Sequence, residues 1–197
     1  RLLYRGVMPW DIDAAFNAFG HKMGPFQMID LAGLDLGWSK GATTENPIRD
    51  ALCEMGRRGQ KTGGGYYDYA DARTPIPSKV TTNLITEITG AVPVKMDADA
   101  ILRTCIHPMI NEAVKLLEEN KVQRPTDIDV VWLDGFGWPP DKGGPMYFAD
   151  KVGAQEILET MERLAIDTPE ASPAETLRQL AKSGGRFTEI KTEGLKT

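Results

Sequence analysis

The side chains able to do chemistry in this chain are few, and their spacing argues against most of the reactions they suggest. His21 and His107 are the only histidines, and neither has a carboxylate at the spacing a proton relay needs. Each therefore reads as a capping or solvated residue rather than a base. Cys53 and Cys105 stand alone, with no Cys-x-x-Cys or His-x-x-x-His pattern, so no zinc site is expected. Two cysteines are also too few for a disulfide framework, which points to a reducing compartment and to thiols used as small buried hydrophobes. Lys61-Thr62-Gly63-Gly64-Gly65 has the composition of a phosphate loop but the wrong order. A Walker A loop puts its glycines before Lys-Ser/Thr and a helix after it; here the glycines follow and Tyr66, Tyr67 and Tyr69 come next. A structural turn between a helix and a strand is the better reading. The carboxylate pairs Asp11/Asp13 and Asp127/Asp129 each follow a proline by a few residues. Two copies of an acid–base site in one short chain are improbable, so the pairs read as negative charge at helix starts, where the macrodipole favours it.

Composition narrows the class further. A hydrophobic fraction of 41% and a charged fraction of 26% are those of a soluble globular protein. The net charge of −5, with no dense Lys/Arg cluster, argues against nucleic acid and against an anionic membrane surface. No apolar run approaches the roughly 18 to 20 residues that span a bilayer. The sequence starts at Arg1 without a Met or a signal peptide, and so reads as a fragment of a longer protein.

The elements that must position these residues are helices. Pro9 opens one in which Ile12, Ala15, Phe16 and Phe19 share a face before Gly20. Gly24-Pro25 opens a second, in which Phe26, Ile29 and Gly33 share a face; Asp30 stands among its apolar residues and, if buried, must find donors. Asn46-Pro47 caps a third. Tyr66 to Tyr69 favours an extended segment. Asp71 to Pro77 reads as a linker, followed by a connector helix from Lys79 that ends near Gly90. Ala98 to Glu119 is the longest helix, with Pro108 expected to kink or break it. Pro125 and Gly144-Pro145 open two more, the second continuing its periodicity through Ile157 and Leu164. Trp132, Phe136, Trp138, Tyr147 and Phe148 are expected to fill the core between the two halves.

The two halves match one another. Pro9-Trp10-Asp11-Ile12-Asp13 aligns with Pro125-Thr126-Asp127-Ile128-Asp129, and Phe19-Gly20 with Phe136-Gly137. Gly24-Pro25, Asp30 and Gly33 align with Gly144-Pro145, Asp150 and Gly153. The register drifts by a few residues along the way, which places short insertions in loops, where they cost little. The expected organisation is a first helical unit over 1–70, truncated at its N-terminus, a connector over 71–97, a second unit over 98–187 and a frayed polar tail over 188–197. Two such units are expected to pack face to face, as in a two-fold dimer.

Met23-Gly24-Pro25, Asp30 with Gly33-Leu34-Asp35, Gly59-Gln60-Lys61-Thr62-Gly63 with Gly65-Tyr66-Tyr67, Asn111-Glu112-Ala113, Asp127-Ile128-Asp129 and Gly143-Gly144-Pro145-Met146 together resemble the C-terminal helical domain of 3-hydroxyacyl-CoA dehydrogenases. The resemblance is to the version in multifunctional fatty-acid oxidation enzymes, such as the bacterial complex alpha subunit. It implies an all-α fold of two tandem units, like those of 6-phosphogluconate dehydrogenase C-terminal domains. It implies oxidation of a 3-hydroxyacyl-CoA to a 3-ketoacyl-CoA with NAD in β-oxidation. The family's His–Glu pair and its G-x-G-x-x-G fingerprint lie on an upstream Rossmann domain, so no catalytic and no cofactor-binding residue carries over to this chain. What carries over is the lining of an acyl-CoA cleft by Met23, Gly24 and Pro25, with Lys61 a candidate contact for a CoA phosphate. Asp30, Gly144, Pro145 and Asp150 are markers of the repeat. The implied partners are acyl-CoA, the upstream Rossmann domain, an enoyl-CoA hydratase domain and a thiolase subunit, in a bacterial cytoplasm, because Gly194-Leu195-Lys196-Thr197 lacks a peroxisomal ending. The alternatives are a non-enzymatic helical interaction module, which would seal the surface near Met23, and the helical domain of a related two-domain dehydrogenase.

Overall fold

The computed structural model describes residues 1–41, 44–71, 73–168 and 171–192. The expected loops at 39–45 and 167–173 lie partly outside the described residues, and Gly194-Leu195-Lys196-Thr197 lies wholly outside them. Among the described residues the fold is all-α apart from one two-stranded antiparallel sheet. The chain divides into two compact units, Arg1–Ile101 and Leu102–Thr197.

The first unit begins with a 3-10 turn, Leu3–Arg5, closed by Gly6 at φ +81°. A Cβ at Gly6 would meet the Val92 carbonyl oxygen at 2.0 Å, so the close approach as well as the left-handed backbone needs glycine. Helices α1 (Pro9–Phe19), α2 (Pro25–Ala32) and α3 (Pro47–Glu54) each start with proline at the first helical position, where its missing N–H costs nothing. The Asn46 side chain also accepts from the Arg49 amide at 3.1 Å, the cap expected from its sequence. Strand β1 (Tyr67–Tyr69) pairs with β2 (Pro75–Pro77) in the register Tyr67↔Pro77, Asp68↔Ile76, Tyr69↔Pro75. The stretch expected to be plain linker thus supplies a strand. A two-stranded ribbon tolerates its prolines because an edge strand has N–H positions that face away from the partner. Helix α4 (Lys79–Thr89) follows, capped by Ser78, and packs on α3. Residues 71–97 fall within the Arg1–Ile101 unit. Val7, Met8, Ile12, Leu34, Ile48, Leu52, Tyr66 and Ile85 are buried and form this unit's core.

Helix α5 (Ala98–Glu118) runs unbroken through Pro108. Its Ile106, Ile110, Ala113, Val114 and Leu117 are buried at the spacing of one helical face. In the second unit α6 (Pro125–Gly135) packs on α7 (Pro145–Val152), α7 on α8 (Ala154–Asp167), and α8 on α9 (Glu175–Ser183). Gly153, at φ +91°, divides what the periodicity suggests is one helix into α7 and α8. Trp138 is fully buried, edge-on to Trp132 and Phe148. Phe136 and Tyr147, expected in a core, are instead 54% and 41% exposed. Asn111 accepts from the Ala174 amide at 2.8 Å and donates to the Ser172 carbonyl, so a buried polar side chain near the middle of α5 pins the segment before α9.

Candidate functional site

Met23-Gly24-Pro25 is the turn that opens α2, with Gly24 buried and its two neighbours half-buried. It is held from outside its own helix. Asp13, buried in α1, accepts from the Phe26 amide and the Gln27 amide at 2.9 Å each, and from the Tyr67 phenol at 2.7 Å. The first amides of a helix have no intrahelical acceptor, so a carboxylate placed there satisfies both the hydrogen bonds and the macrodipole. Asp13 therefore serves the start of the next helix, not of its own as its position suggested; Asp11 occupies the first turn of α1 and pairs with Lys95. A Cβ on Gly24 would lie 2.3 Å from the Asp13 Cβ, so the turn and the carboxylate leave room only for hydrogen.

Asp30 answers the question of its donors. It is fully buried and accepts from the Tyr66 amide at 2.8 Å, the Tyr67 amide at 2.9 Å and the Tyr69 phenol at 3.0 Å. A Cβ on Gly65 would meet its oxygen at 2.1 Å, which explains a glycine there. Burial raises both Asp13 and Asp30 above the usual carboxylate range, and the hydrogen bonds pull each part of the way back. Burial pushes Tyr66 up to about 12. It raises Tyr67 and Tyr69 as well, with Asp13 and Asp30 adding to the effect, so both phenols stay donors. With two or more donors already on each carboxylate, the cluster is a scaffold and not a general base. Arg57 completes it by donating to the carbonyls of Gly65 and Tyr67, to Asp68 and to the Ser78 hydroxyl.

The glycine-rich turn closes on itself. The amides of Thr62, Gly63, Gly64 and Gly65 all donate to backbone carbonyls of Gly59, Gln60, Gly59 and Tyr67. The Thr62 hydroxyl bonds the carbonyls of Gly59 and Gly64. Amides so committed cannot cradle a phosphate, and a sheet of two short antiparallel strands is no dinucleotide crevice. This turn does not fit the pyrophosphate of NAD. Lys61 Nζ lies 2.6 Å from Asp35, and holds that carboxyl below the usual range.

The surface of α2 inverts the usual pattern. Its one buried residue is the charged Asp30, while Met28, Ile29 and Leu31 are 45%, 39% and 57% exposed. Ile29, expected to share a face with Phe26, is therefore on the surface. In the second unit Asp129 accepts from the Met146 and Tyr147 amides at the start of α7. Asp150 accepts from the Phe187 amide, the Thr188 hydroxyl and Arg186. Thr192 then donates to the Gln123 carbonyl, so the chain expected to fray after 187 is tied down as far as 192. Gly144, at φ +87°, would place a Cβ 2.5 Å from Asp129. His107 is buried and bonds Thr160 at 2.9 Å, not solvated as expected. His21 stacks on Phe19. Among the described residues no group of three or more His, Cys, Asp or Glu could hold a metal ion, and no helix is long and apolar enough to cross a membrane.

Sequence reasoning missed the Tyr67 and Tyr69 phenols, Arg57, and the clasp at Phe187-Thr188. A signal for the last was present. Lys61-Thr62-Gly63-Gly64-Gly65-Tyr66 is echoed by Lys182-Ser183-Gly184-Gly185-Arg186-Phe187, so the aromatic-led segment that binds the inner carboxylate has a counterpart.

The family model described as 3-hydroxyacyl-CoA dehydrogenase, C-terminal domain, matches residues 1–69 and 101–195, and the chain belongs to that family. It is 37% identical over 211 residues to the peroxisomal bifunctional enzyme of Homo sapiens, with 93% of this chain and 29% of the relative covered. It is 30% identical over 203 residues to the fatty acid oxidation complex subunit alpha of Shewanella loihica, with 95% of this chain and 28% of that protein covered. The chain thus spans less than a third of the length of these curated relatives. Among solved structures it is similar to the dehydrogenase part of multifunctional enzyme 1 from C. elegans, at TM-score 0.69 and 26% identity, covering 90% of this chain and 43% of that one. The 3-hydroxybutyryl-CoA dehydrogenase of Escherichia coli shares the fold at TM-score 0.68 and 20% identity, covering 92% of this chain and 56% of that one.

Proposed function

We propose that this chain is the helical C-terminal part of an NAD-dependent 3-hydroxyacyl-CoA dehydrogenase of fatty-acid β-oxidation, and that it closes the acyl-CoA cleft and stabilises the assembly. One observation carries the reading: α2 buries its charge and exposes Met28, Ile29 and Leu31 beside the half-buried Met23 and Pro25. Three large apolar side chains left exposed on one short helix favour an alkyl chain or another domain over water. A purely structural module would have sealed it. NAD, in this reading, sits on the upstream Rossmann domain, and the residues here shape the acyl side of the cleft without touching the hydride. An enoyl-CoA hydratase domain and a thiolase subunit belong to the same proposal, supported by relatives named bifunctional enzymes and oxidation-complex subunits. So does a cytoplasmic setting, supported by the likeness to the bacterial subunit and opposed by the higher identity to the peroxisomal enzymes.

We also propose that the two units are tandem copies. The support is that the family model matches residues 1–69 and 101–195, and that Asp13/Asp30 and Asp129/Asp150 make matching bonds around α2 and α7.

The test is an assay of acetoacetyl-CoA reduction by NADH. The 197-residue chain alone should show no turnover. The full-length protein should be active, and Met23→Asp in it should raise KM for acetoacetyl-CoA at least about tenfold. Turnover by the chain alone, or an unchanged KM, would overturn the proposal.

A further inference from the structure

Nothing in the sequence distinguishes the way the acyl-facing turn is fixed from ordinary helix capping, but the structure does. The Gly24 backbone is pressed against the Asp13 side chain, and the two amides that follow it both end on the Asp13 carboxylate. That carboxylate is itself held by the Tyr67 phenol, which reaches it across 54 residues of chain. Tyr67 is buried, its ring edge-on to Trp10, and its own amide is bonded to Asp30, so neither end of this residue is free to move. Asp129 receives the corresponding two amides of α7, at 2.7 and 3.3 Å, while the residue after Phe187, the counterpart of Tyr67, is Thr188, whose hydroxyl goes to Asp150. The phenol-to-carboxylate strut is thus built where α2 exposes its apolar face, and α7, which buries Pro145, Met146 and Ala149, is held without it.

We propose that Asp13 and Tyr67 are positioning residues for acyl-CoA recognition. Tyr67 sets the Asp13 carboxylate, Asp13 sets the first turn of α2, and the turn sets where Met23 and Pro25 meet the acyl chain. The inference rests on the cleft-lining reading above. A hydrogen bond between buried groups fixes a position only while its donor is present, and a displacement of about 1 Å at a binding turn is enough to weaken binding substantially.

The experiment uses the full-length protein and three variants, each followed by thermal unfolding and by steady-state kinetics with acetoacetyl-CoA and NADH. Tyr67→Phe keeps the ring and removes the strut. It should raise KM for acetoacetyl-CoA about fivefold, with kcat within about twofold and KM for NADH unchanged. Thr188→Val removes a hydroxyl from the buried carboxylate of the second unit. It should lower thermal stability comparably and leave both KM values alone. Met23→Ala tests the underlying reading and should raise the same KM as Tyr67→Phe. If Met23→Ala raises KM and Tyr67→Phe does not, the positioning role is overturned and the cleft reading stands. If Met23→Ala leaves KM unchanged, the cleft reading falls and the positioning role with it. Equal KM changes in Tyr67→Phe and Thr188→Val would reduce the strut to a general stability effect and overturn the proposal.

Discussion

Helices α2 and α7 are each eight residues long, open on Gly-Pro, close on a glycine of positive φ, and are braced by one carboxylate at the start and another inside. They differ in what they do with their apolar side chains. Helix α7 is followed at once by α8, which packs against it, and Met146 and Ala149 are buried. Helix α2 is followed by the Gly33-Leu34-Asp35 turn, and three of its large apolar residues, Met28, Ile29 and Leu31, are exposed to water. The same brace therefore supports two outcomes: one helix completes a core, and the other presents a surface. A frame of satisfied backbone donors does not by itself decide which face of a helix is covered; the neighbour does.

Substitutions can sharpen that comparison, beginning with the glycines. Gly144→Ala and Gly24→Ala should each cost about 3 kcal/mol or more in urea unfolding, because either Cβ would collide with a buried carboxylate. Gly144→Ala should be the worse by about 1 kcal/mol, since its φ is +87° while that of Gly24 is −75°. Next, Asp30→Asn should cost about 2 to 3 kcal/mol by turning a donor toward buried amides, and Asp150→Asn less, because Arg186 is half-exposed and can turn to water. Equal losses would mean that the two inner carboxylates are equally enclosed.

The third contrast is the apolar one. Met146→Ala should cost about 2 to 5 kcal/mol, whereas Leu31→Ala should stay within about 0.5 kcal/mol in the 197-residue chain. In the full-length protein Leu31→Ala should cost more; a value unchanged between the two forms would show that nothing covers α2. A further effect is one of pH. Burial lowers His107 to about 4 from an ordinary 6.5, so between those values the unfolded chain takes up a proton that the native chain refuses. Stability should fall as pH drops through that window, and His107→Gln should remove that part of the slope in a series of unfolding midpoints.

Most helix boundaries were legible because proline, asparagine and glycine act locally. Pro9, Pro25, Pro47, Pro125 and Pro145 mark helix starts by losing nothing there, and Gly20 and Gly90 mark ends. The break at Gly153 was not legible, since apolar spacing continues across it and only the backbone angle reveals the turn. Strand β2 was hidden by its prolines, which usually argue against pairing. At the candidate site, the turn could be named from Gly24-Pro25 and Asp30 could be flagged as needing donors, but its donors lie 36 to 39 residues away and no local rule finds them. Asp13 misled for the same reason: its position in α1 suggests a local partner, and its partners are in α2 and β1. Ile29 misled because periodicity reports which residues share a face and not whether that face is covered.

The long reach of Asp30 also bears on how the chain is made. Residues 25–32 leave the ribosome before residues 66–69, so for an interval α2 carries a carboxylate whose native donors do not yet exist. Until they arrive that charge keeps its water, and the helix gains nothing from docking. Closing this loop should then be a late event in folding, set by the non-local pairing and not by the quick formation of the helices themselves.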